Sequence, residues 1–316
     1  MIEKIYNISI KNYDEKNEEP QVLCLGFFDC VHQGHLKLIN RAKQIAFMNN
    51  YLTSIFTFEN NPLKLFKNEQ VILTFKERCF VFEELQMDFV YKATFDKEFA
   101  SIDKNAFLDT LVGNKNIKAI VVGSDYTYGK DREGNVKHLK EYCDEKGIKL
   151  YVESLLMLNE EKLSTTYLRQ KVKEGNLDEL NSFLVSPYTI MGTVIKGRGV
   201  GEKELFPTAN ISIDSEKIPL APGVYYTHVF IDGLRYRAAT NVGFKPTYGI
   251  ETYNIESYIL FYTKKLYGKE IVIEFEEKMR DVTKFNSPDE LKVQKDIWWC
   301  NLVKEQRRRF VRIFIW

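Results

Sequence analysis

Residues 23–46 read LCLGFFDCVHQGHLKLINRAKQIA. An apolar run, Val22 to Leu25, stops at Gly26, and about ten residues later Leu36, Ile39, Ala42, Ile45 and Ala46 recur at helical spacing, so the stretch predicts strand, tight turn, helix. The turn gathers Phe28, Asp29, His32, Gly34 and His35 at the start of the helix, where unpaired N–H groups and the helix dipole favour an anion. A phosphate is the natural anion for such a place. Gly34 lets it approach the main chain, Gly26, Phe28 and Asp29 complete the turn that would line it, and His32 and His35 can donate hydrogen bonds to charge building up on phosphorus. The plain alternative is a pair of surface histidines on an ordinary helix start.

Outward from this stretch, strand and helix patterns alternate. Tyr51–Phe58 reads as a buried strand stopped by Asn60, Asn61 and Pro62. A helix follows from Thr74 to Leu85 with Thr74 as N-cap, then an apolar segment Phe89–Ala93, a helix near Asp103–Val112, and a strand Lys118–Val122 ending at Gly123. Another helix, Val136–Lys146, closes at Gly147 before a strand Ile148–Glu153. Such alternation predicts a doubly wound parallel sheet, which binds ligands beyond the C-terminal ends of its strands.

Two further segments lie on that edge. Gly123–Asn135, GSDYTYGKDREGN, follows a strand and carries three glycines with Asp125, Tyr126, Tyr128 and Arg132. It can cover a flat ring and offer it hydrogen-bond partners, or it can be a solvated loop. In Leu163–Leu184, Ser164, Thr165 and Thr166 can cap the next helix, with Arg169 one turn on, so hydroxyls, free N–H groups and a guanidinium converge. A capped helix with an exposed arginine is the bland reading.

Together these motifs carry a resemblance. G-x-F-D-x-x-H-x-G-H resembles the signature of the HxGH nucleotidyltransferases, in the form found in the N-terminal module of the prokaryotic bifunctional riboflavin kinase/FAD synthetases. Residues 123–135 resemble that family's G-x-D-(F/Y)-x-(F/Y)-G-x-x-R-x-G-(D/N), which makes Gly123, Asp125, Tyr126, Tyr128 and Arg132 a flavin- or adenine-binding loop. Ser164, Thr165, Thr166 and Arg169 match its S-(S/T)-T-x-(I/L)-R, which holds ATP phosphates. Cys30 departs from the family's usual Gly, and Asn61 stands where His is usual, with a loop-capping role expected.

At Ser186–Pro187 the pattern changes, which divides the chain into residues 1–186 and 187–316. From Tyr188 to Arg280 short strands alternate with glycine turns, as in an antiparallel barrel, and a helix is expected from about Ser287 to Arg309. In Phe206–Ile213, FPTANISI, an extended backbone puts Thr208 and Asn210 on one face, two hard oxygen donors suited to Mg2+. A plain strand entry is the alternative. The order of this PTAN, PGVY at 222–225, Asn241-Val-Gly-x-x-Pro-Thr247, Glu256, Leu266-Tyr-Gly268 and Arg280 resembles the riboflavin kinase module, in which the residue matching Glu256 is the general base. Tyr258 and Phe261 replace the family's usual His and Asp and are read as changes in the support of that base. Before the PTAN, Glu202, Glu204 and Leu205 replace a usual Arg, Leu and Gly. Two carboxylates near a nucleotide phosphate oppose binding unless they face solvent, and Lys196, Arg198 and Lys203 can compensate.

The resemblance implies an α/β fold, with a Rossmann-like N-terminal sheet domain that adenylylates FMN to FAD and a C-terminal barrel, followed by a helix, that phosphorylates riboflavin to FMN. ATP is co-substrate and Mg2+ the cofactor of both. His32, His35 and Glu256 are the catalytic candidates; a chain with the adenylyltransferase alone, or a flavin-binding regulator, are the rivals. Composition adds bounds. The 316 residues suit two domains, and 45 basic against 44 acidic side chains give no global footprint for nucleic acid. Five scattered cysteines argue for reduced thiols, and no signal peptide or membrane span is evident, so a cytoplasmic location and small-molecule partners are expected, with homo-oligomers left open. The apolar tail Phe310–Trp316 reads either as a membrane-surface or partner-docking amphipathic segment or, more commonly for such an end, as packed on its own domain.

Overall fold

The computed structural model describes residues 5–7, 17–67, 69–113, 115–154, 156–158, 161–196, 208–247 and 250–282. The chain divides into two compact units, residues 1–168 with 183–186, and residues 169–182 with 187–316. The expected helix Ser287–Arg309, the loop Gly201–Phe206 and the tail Phe310–Trp316 lie outside the described residues.

Unit 1 is built on strands β1 (Ile5–Asn7), β2 (Asn17–Leu25), β3 (Leu52–Phe58), β4 (Phe89–Ala93) and β5 (Lys115–Gly123), a short hairpin β6 (Thr127–Tyr128) and β7 (Gly134–Asn135), β8 (Lys149–Glu153), and a second hairpin β9 (Met157–Leu158) and β10 (Glu161–Lys162). Helices α1 (Gln33–Asn49), α2 (Pro62–Lys67), α3 (Phe75–Glu84), α4 (Lys97–Ala100), α5 (Lys104–Val112) and α6 (Val136–Lys146) connect them. The main sheet has the order β1-β4-β3-β2-β5-β8, every pair parallel. From β2 the chain winds one way to β3 and β4, and later strands add on the other side as β5 and β8. The order therefore reverses between β2 and β5, and their C-terminal ends are where such a sheet opens a crevice.

Gln21 to Leu25 of β2 are all buried, as a strand covered on both faces requires. The polar member of that run is satisfied at its oxygen: the Tyr91 hydroxyl donates to Gln21 Oε1 at 3.0 Å and accepts from Asn17 Nδ2 at 3.1 Å, while Gln21 Nε2 is buried without a hydrogen bond. In the core of unit 1, Phe56, Phe58, Phe99 and Phe107 meet edge to face at centroid distances of 5.2–6.1 Å. Thr74 caps α3 in a reciprocal capping box with Glu77. Asn61 is a loop cap, accepting from Leu63 N at 3.0 Å and donating to Glu69 O.

Helices α7 (Thr165–Glu174) and α8 (Leu177–Phe183) follow, parted at Gly175, whose φ of 70° ends the first. Unit 2 is a closed antiparallel barrel of β11 (Tyr188–Ile195), β12 (Thr208–Ser212), β13 (Gly223–Ile231), β14 (Leu234–Thr247), β15 (Ile250–Ile259) and β16 (Glu270–Arg280), in the order β11-β12-β15-β14-β13-β16. Ile255, Ser257 and Ile259 are buried on one face of β15, where Thr240 Oγ1 joins Thr227 Oγ1 at 2.7 Å and Ser257 Oγ at 2.8 Å. Glu256 and Tyr258 take the other face.

Candidate functional site

The turn between β2 and α1 is strained and held from several sides. Phe28 and Val31 sit at φ 55° and 43°, a region that costs a non-glycine residue about 1 kcal/mol or more. Arg78, buried on α3, donates to Phe27 O at 2.8 Å and to Phe58 O at 2.6 Å, and Thr57 Oγ1 donates to Phe27 O at 2.8 Å. Ile72 N donates to the buried Asp29 carboxylate and Leu73 N to Asp29 O, each at 2.9 Å. Val185 N donates to Val31 O at 3.2 Å, and Gln33 Nε2 to Leu184 O at 3.1 Å. Asp29 thus anchors the turn. Phe28 is buried, its ring 5.0 Å from that of His35, and a side chain at Gly26 would meet it at 3.0 Å.

His32 is the N-cap of α1: its Nδ1 accepts from Gly34 N at 3.0 Å and from His35 N at 3.3 Å. An imidazole that accepts through Nδ1 carries its proton on Nε2, so the cap selects the tautomer that can donate away from the helix. The His35 ring stacks on it at 3.9 Å and 11°. Gly34 is bare because the His32 ring lies across it; a Cβ there would stand 2.8 Å from Cε1. Both imidazoles are half-buried at the C-terminal end of β2, beside the point where strand order reverses.

The Gly123–Asn135 loop leaves β5 on the same edge. Tyr128 belongs to the core: its ring stacks on Phe107 at 5.3 Å and its hydroxyl meets His138 Nδ1 at 2.7 Å. Gly134 lies so close beneath that a Cβ would fall 2.5 Å from the Tyr128 ring. Tyr126 stacks on Tyr128 at 5.6 Å and is half-buried, which makes it the loop residue with a face to offer a planar ligand, while Asp125 and Arg132 are exposed. Ser164 starts α7 by accepting from Tyr167 N at 3.2 Å. The turn of α1 is nearby: Leu163 N donates to Leu156 O at 3.0 Å, and Leu156 lies 3.4 Å from where a Gly34 Cβ would be. Thr165 is half-buried in the first turn; Arg169 is buried and falls in unit 2.

On the barrel, Asn210 and Glu256 are directly paired between β12 and β15, and Glu256 is paired with Asn241 of β14 on its other side. Paired residues project to one face, and Thr208 shares it by the strand's period of two. Thr208 Oγ1 donates to Glu256 Oε1 at 2.6 Å. The hydroxyl and amide oxygens of Thr208 and Asn210 are hard donors that fit Mg2+, with the Glu256 carboxylate beside them. Tyr258 lies opposite Thr208 and packs with Val224, Tyr226, Ala239 and Leu260, whereas Phe261 stands beyond the strand end, exposed, at φ 60°.

Sequence reasoning passed over Arg78 and His138, since a buried arginine inside an amphipathic helix and a lone histidine give no local signal. The four described cysteines Cys24, Cys30, Cys79 and Cys143 are free thiols, and burial pushes Cys24 up to about 12 and Cys79 and Cys143 up to about 11.

Comparison with known proteins places this geometry. A family model for FAD synthetase matches residues 14–167, and one for riboflavin kinase matches residues 184–298. The bifunctional riboflavin kinase/FMN adenylyltransferase of Listeria monocytogenes is 32% identical over 89% of this chain and 91% of its own. That of Escherichia coli K12 is 30% identical over 90% and 92%. A solved structure described as a macrolide-efflux protein from Streptococcus pneumoniae superposes with a TM-score of 0.79 at 29% identity, covering 94% of this chain and 97% of that one. No described helix is long and apolar enough to cross a membrane.

Proposed function

Because the chain belongs to the family of bifunctional riboflavin kinase/FMN adenylyltransferases, we propose that it makes FAD from riboflavin in two ATP-dependent steps, one on the barrel and one on the parallel sheet. On the barrel, Glu256 takes the proton of the ribityl 5′-hydroxyl as that oxygen attacks the γ-phosphorus of ATP, since an alcohol is a poor nucleophile until its proton is removed. Thr208 and Asn210 would hold Mg2+, which neutralises phosphate charge when bound. The Thr208–Glu256 hydrogen bond keeps base and metal donors in one register.

On the sheet, an FMN phosphate oxygen attacks the α-phosphorus of ATP and pyrophosphate leaves. Negative charge grows on the α-phosphoryl oxygens, and the Nε2–H of His32, with His35 stacked behind it, is aimed to meet that charge. Ser164, Thr165 and Arg169 on α7 are assigned the departing phosphates, and Tyr126, with Asp125 and Arg132, a planar ring of flavin or adenine. The observation that carries the reading is the His32 cap: it fixes a donor tautomer where β2 ends at the strand-order reversal.

The test is to incubate the pure protein with riboflavin, ATP and Mg2+ and to separate FMN from FAD. His32→Ala is expected to abolish FAD while FMN still accumulates. Glu256→Ala is expected to stop FMN formation yet still convert supplied FMN to FAD. Loss of both products in either variant, still folded, would overturn the two-site assignment.

A further inference from the structure

Cys30, His32 and His35 bring one thiol sulfur and two imidazole nitrogens within 4.8 Å of one another. We infer that this cluster is a binding site for a borderline-soft divalent ion of the zinc class, and that its occupation shuts the adenylyl-transfer centre. The shutting rests on the role given above to His32 and His35; the metal site itself does not.

The donor set decides the class of ion. Thiolate and imidazole suit zinc, whereas Mg2+ prefers oxygen and would not compete for them. In a tetrahedral site with Zn–S near ~2.3 Å and Zn–N near ~2.0 Å, neighbouring donors stand about 3.3–3.6 Å apart. The donors are therefore near enough to reach that spacing once one ring reorients. Cys30 is held between Asp29 and Val31, whose backbone is pinned by Leu73 N at 2.9 Å and Val185 N at 3.2 Å, so the sulfur has a fixed address. It is buried while both imidazoles are half-buried, which leaves the fourth position open toward solvent.

As found, the two rings are parallel and their lone pairs do not converge. One ring must turn. If His32 turns, it gives up the bonds from Gly34 N and His35 N, and the Cys30 proton passes to solvent as the sulfur–metal bond forms. A helix cap is much weaker than metal ligation, so the exchange is downhill. It also swings the Nε2–H away from the place where transfer is proposed to need it. Among the described residues the other metal-like group, His228 with Glu274 and Glu276, contains no sulfur, and Arg235 already meets both carboxylates at 3.0 and 2.9 Å. Among the described groups, sulfur ligation is thus diagnostic of Cys30.

Titration of the full chain with Co2+, followed by absorption, is expected to give a thiolate-to-cobalt charge-transfer band that saturates at one equivalent and is lost in Cys30→Ala and in the nearly isosteric Cys30→Ser. Zn2+ in the presence of excess Mg2+ is expected to lower FAD formation from FMN by about 10²-fold, the effect of losing one charge-stabilising donor, to leave FMN formation unchanged, and to be reversed by a chelator selective for zinc. No band, or a band that persists in both Cys30 variants, would overturn the site. A band with FAD formation untouched by zinc would keep the site and overturn the placement of His32 and His35 at the transfer centre.

Discussion

His32 caps α1 through one ring nitrogen and is proposed to serve transfer through the other, and the two roles can be separated. Asparagine is a good N-cap but has no Nε2–H, so His32→Asn is expected to keep the free energy of unfolding within about 0.5 kcal/mol of the parent while losing FAD formation. Gly34→Ala should do both kinds of damage, because the new Cβ would stand 2.8 Å from His32 Cε1 and push the ring off the helix end. FAD formation from FMN should fall about 10²–10³-fold, with FMN formation intact. A different residue tests the electrostatics of the sheet unit. The hydrogen bond from Lys92 at 2.6 Å, aided by one from Thr94, holds the Glu59 carboxyl below its ordinary value of 4.5 against partial burial. A depressed folded value means that the contribution is fully present above the unfolded value and is lost as pH falls through the folded one. Glu59→Gln should therefore unfold more easily by about 0.5 kcal/mol at neutral pH, and the gap should close once the pH drops below both values, as denaturant titrations at several pH values would show.

At the scale of elements, two helix ends that share a left-handed glycine differ in surroundings. Gly147 ends α6 at φ 69° with nothing within 4 Å of a built Cβ, whereas Gly175 ends α7 at φ 70° with Ala221 Cβ and the Tyr225 hydroxyl each 2.9 Å away. Gly147→Ala should lower stability by about 1 kcal/mol from backbone strain alone. Gly175→Ala should cost about 1–3 kcal/mol more, because the methyl overfills its site. Paired thermal melts decide it. The same contrast explains what could be read from the sequence. The limits of α6, its Asn135 cap and its Gly147 stop follow from local chemistry, and the strand Tyr188–Ile195 falls in the span read as short strands between glycine turns. The reason for Gly34 was less open: as sequence it reads as room for a phosphate, while the structure fills that room with the His32 ring. Asp29 likewise reads as part of a phosphate turn, and the structure adds that it holds Ile72 N. The first depends on how one ring folds back over its own turn, the second on a segment that arrives only after folding. Strand β1, with three residues, and the short helices α2 and α4 are too brief to give a period.

The whole molecule makes and uses FMN at separate centres, and that separation has a kinetic signature. Mixing His32→Ala with Glu256→Ala protein should restore FAD synthesis from riboflavin, since FMN released by one chain is substrate for the other. The rate should rise with the concentration of both, as a coupled time course would record; failure to complement at any concentration would mean that FMN does not pass through solution. The barrel also bears on how such a chain comes into being. Its closure joins β11 to β16, with Tyr188 beside Phe275, so the first strand must wait for the last. On the ribosome, where N-terminal portions emerge and settle first, the nucleotide-handling half can complete its sheet while the nascent barrel is still an unclosed set of strands with bare edges. Truncation shortly before β16 would therefore leave a protein with a finished front half and a sticky, aggregation-prone remainder, and a pause in translation over that span is the moment at which the chain most needs a chaperone.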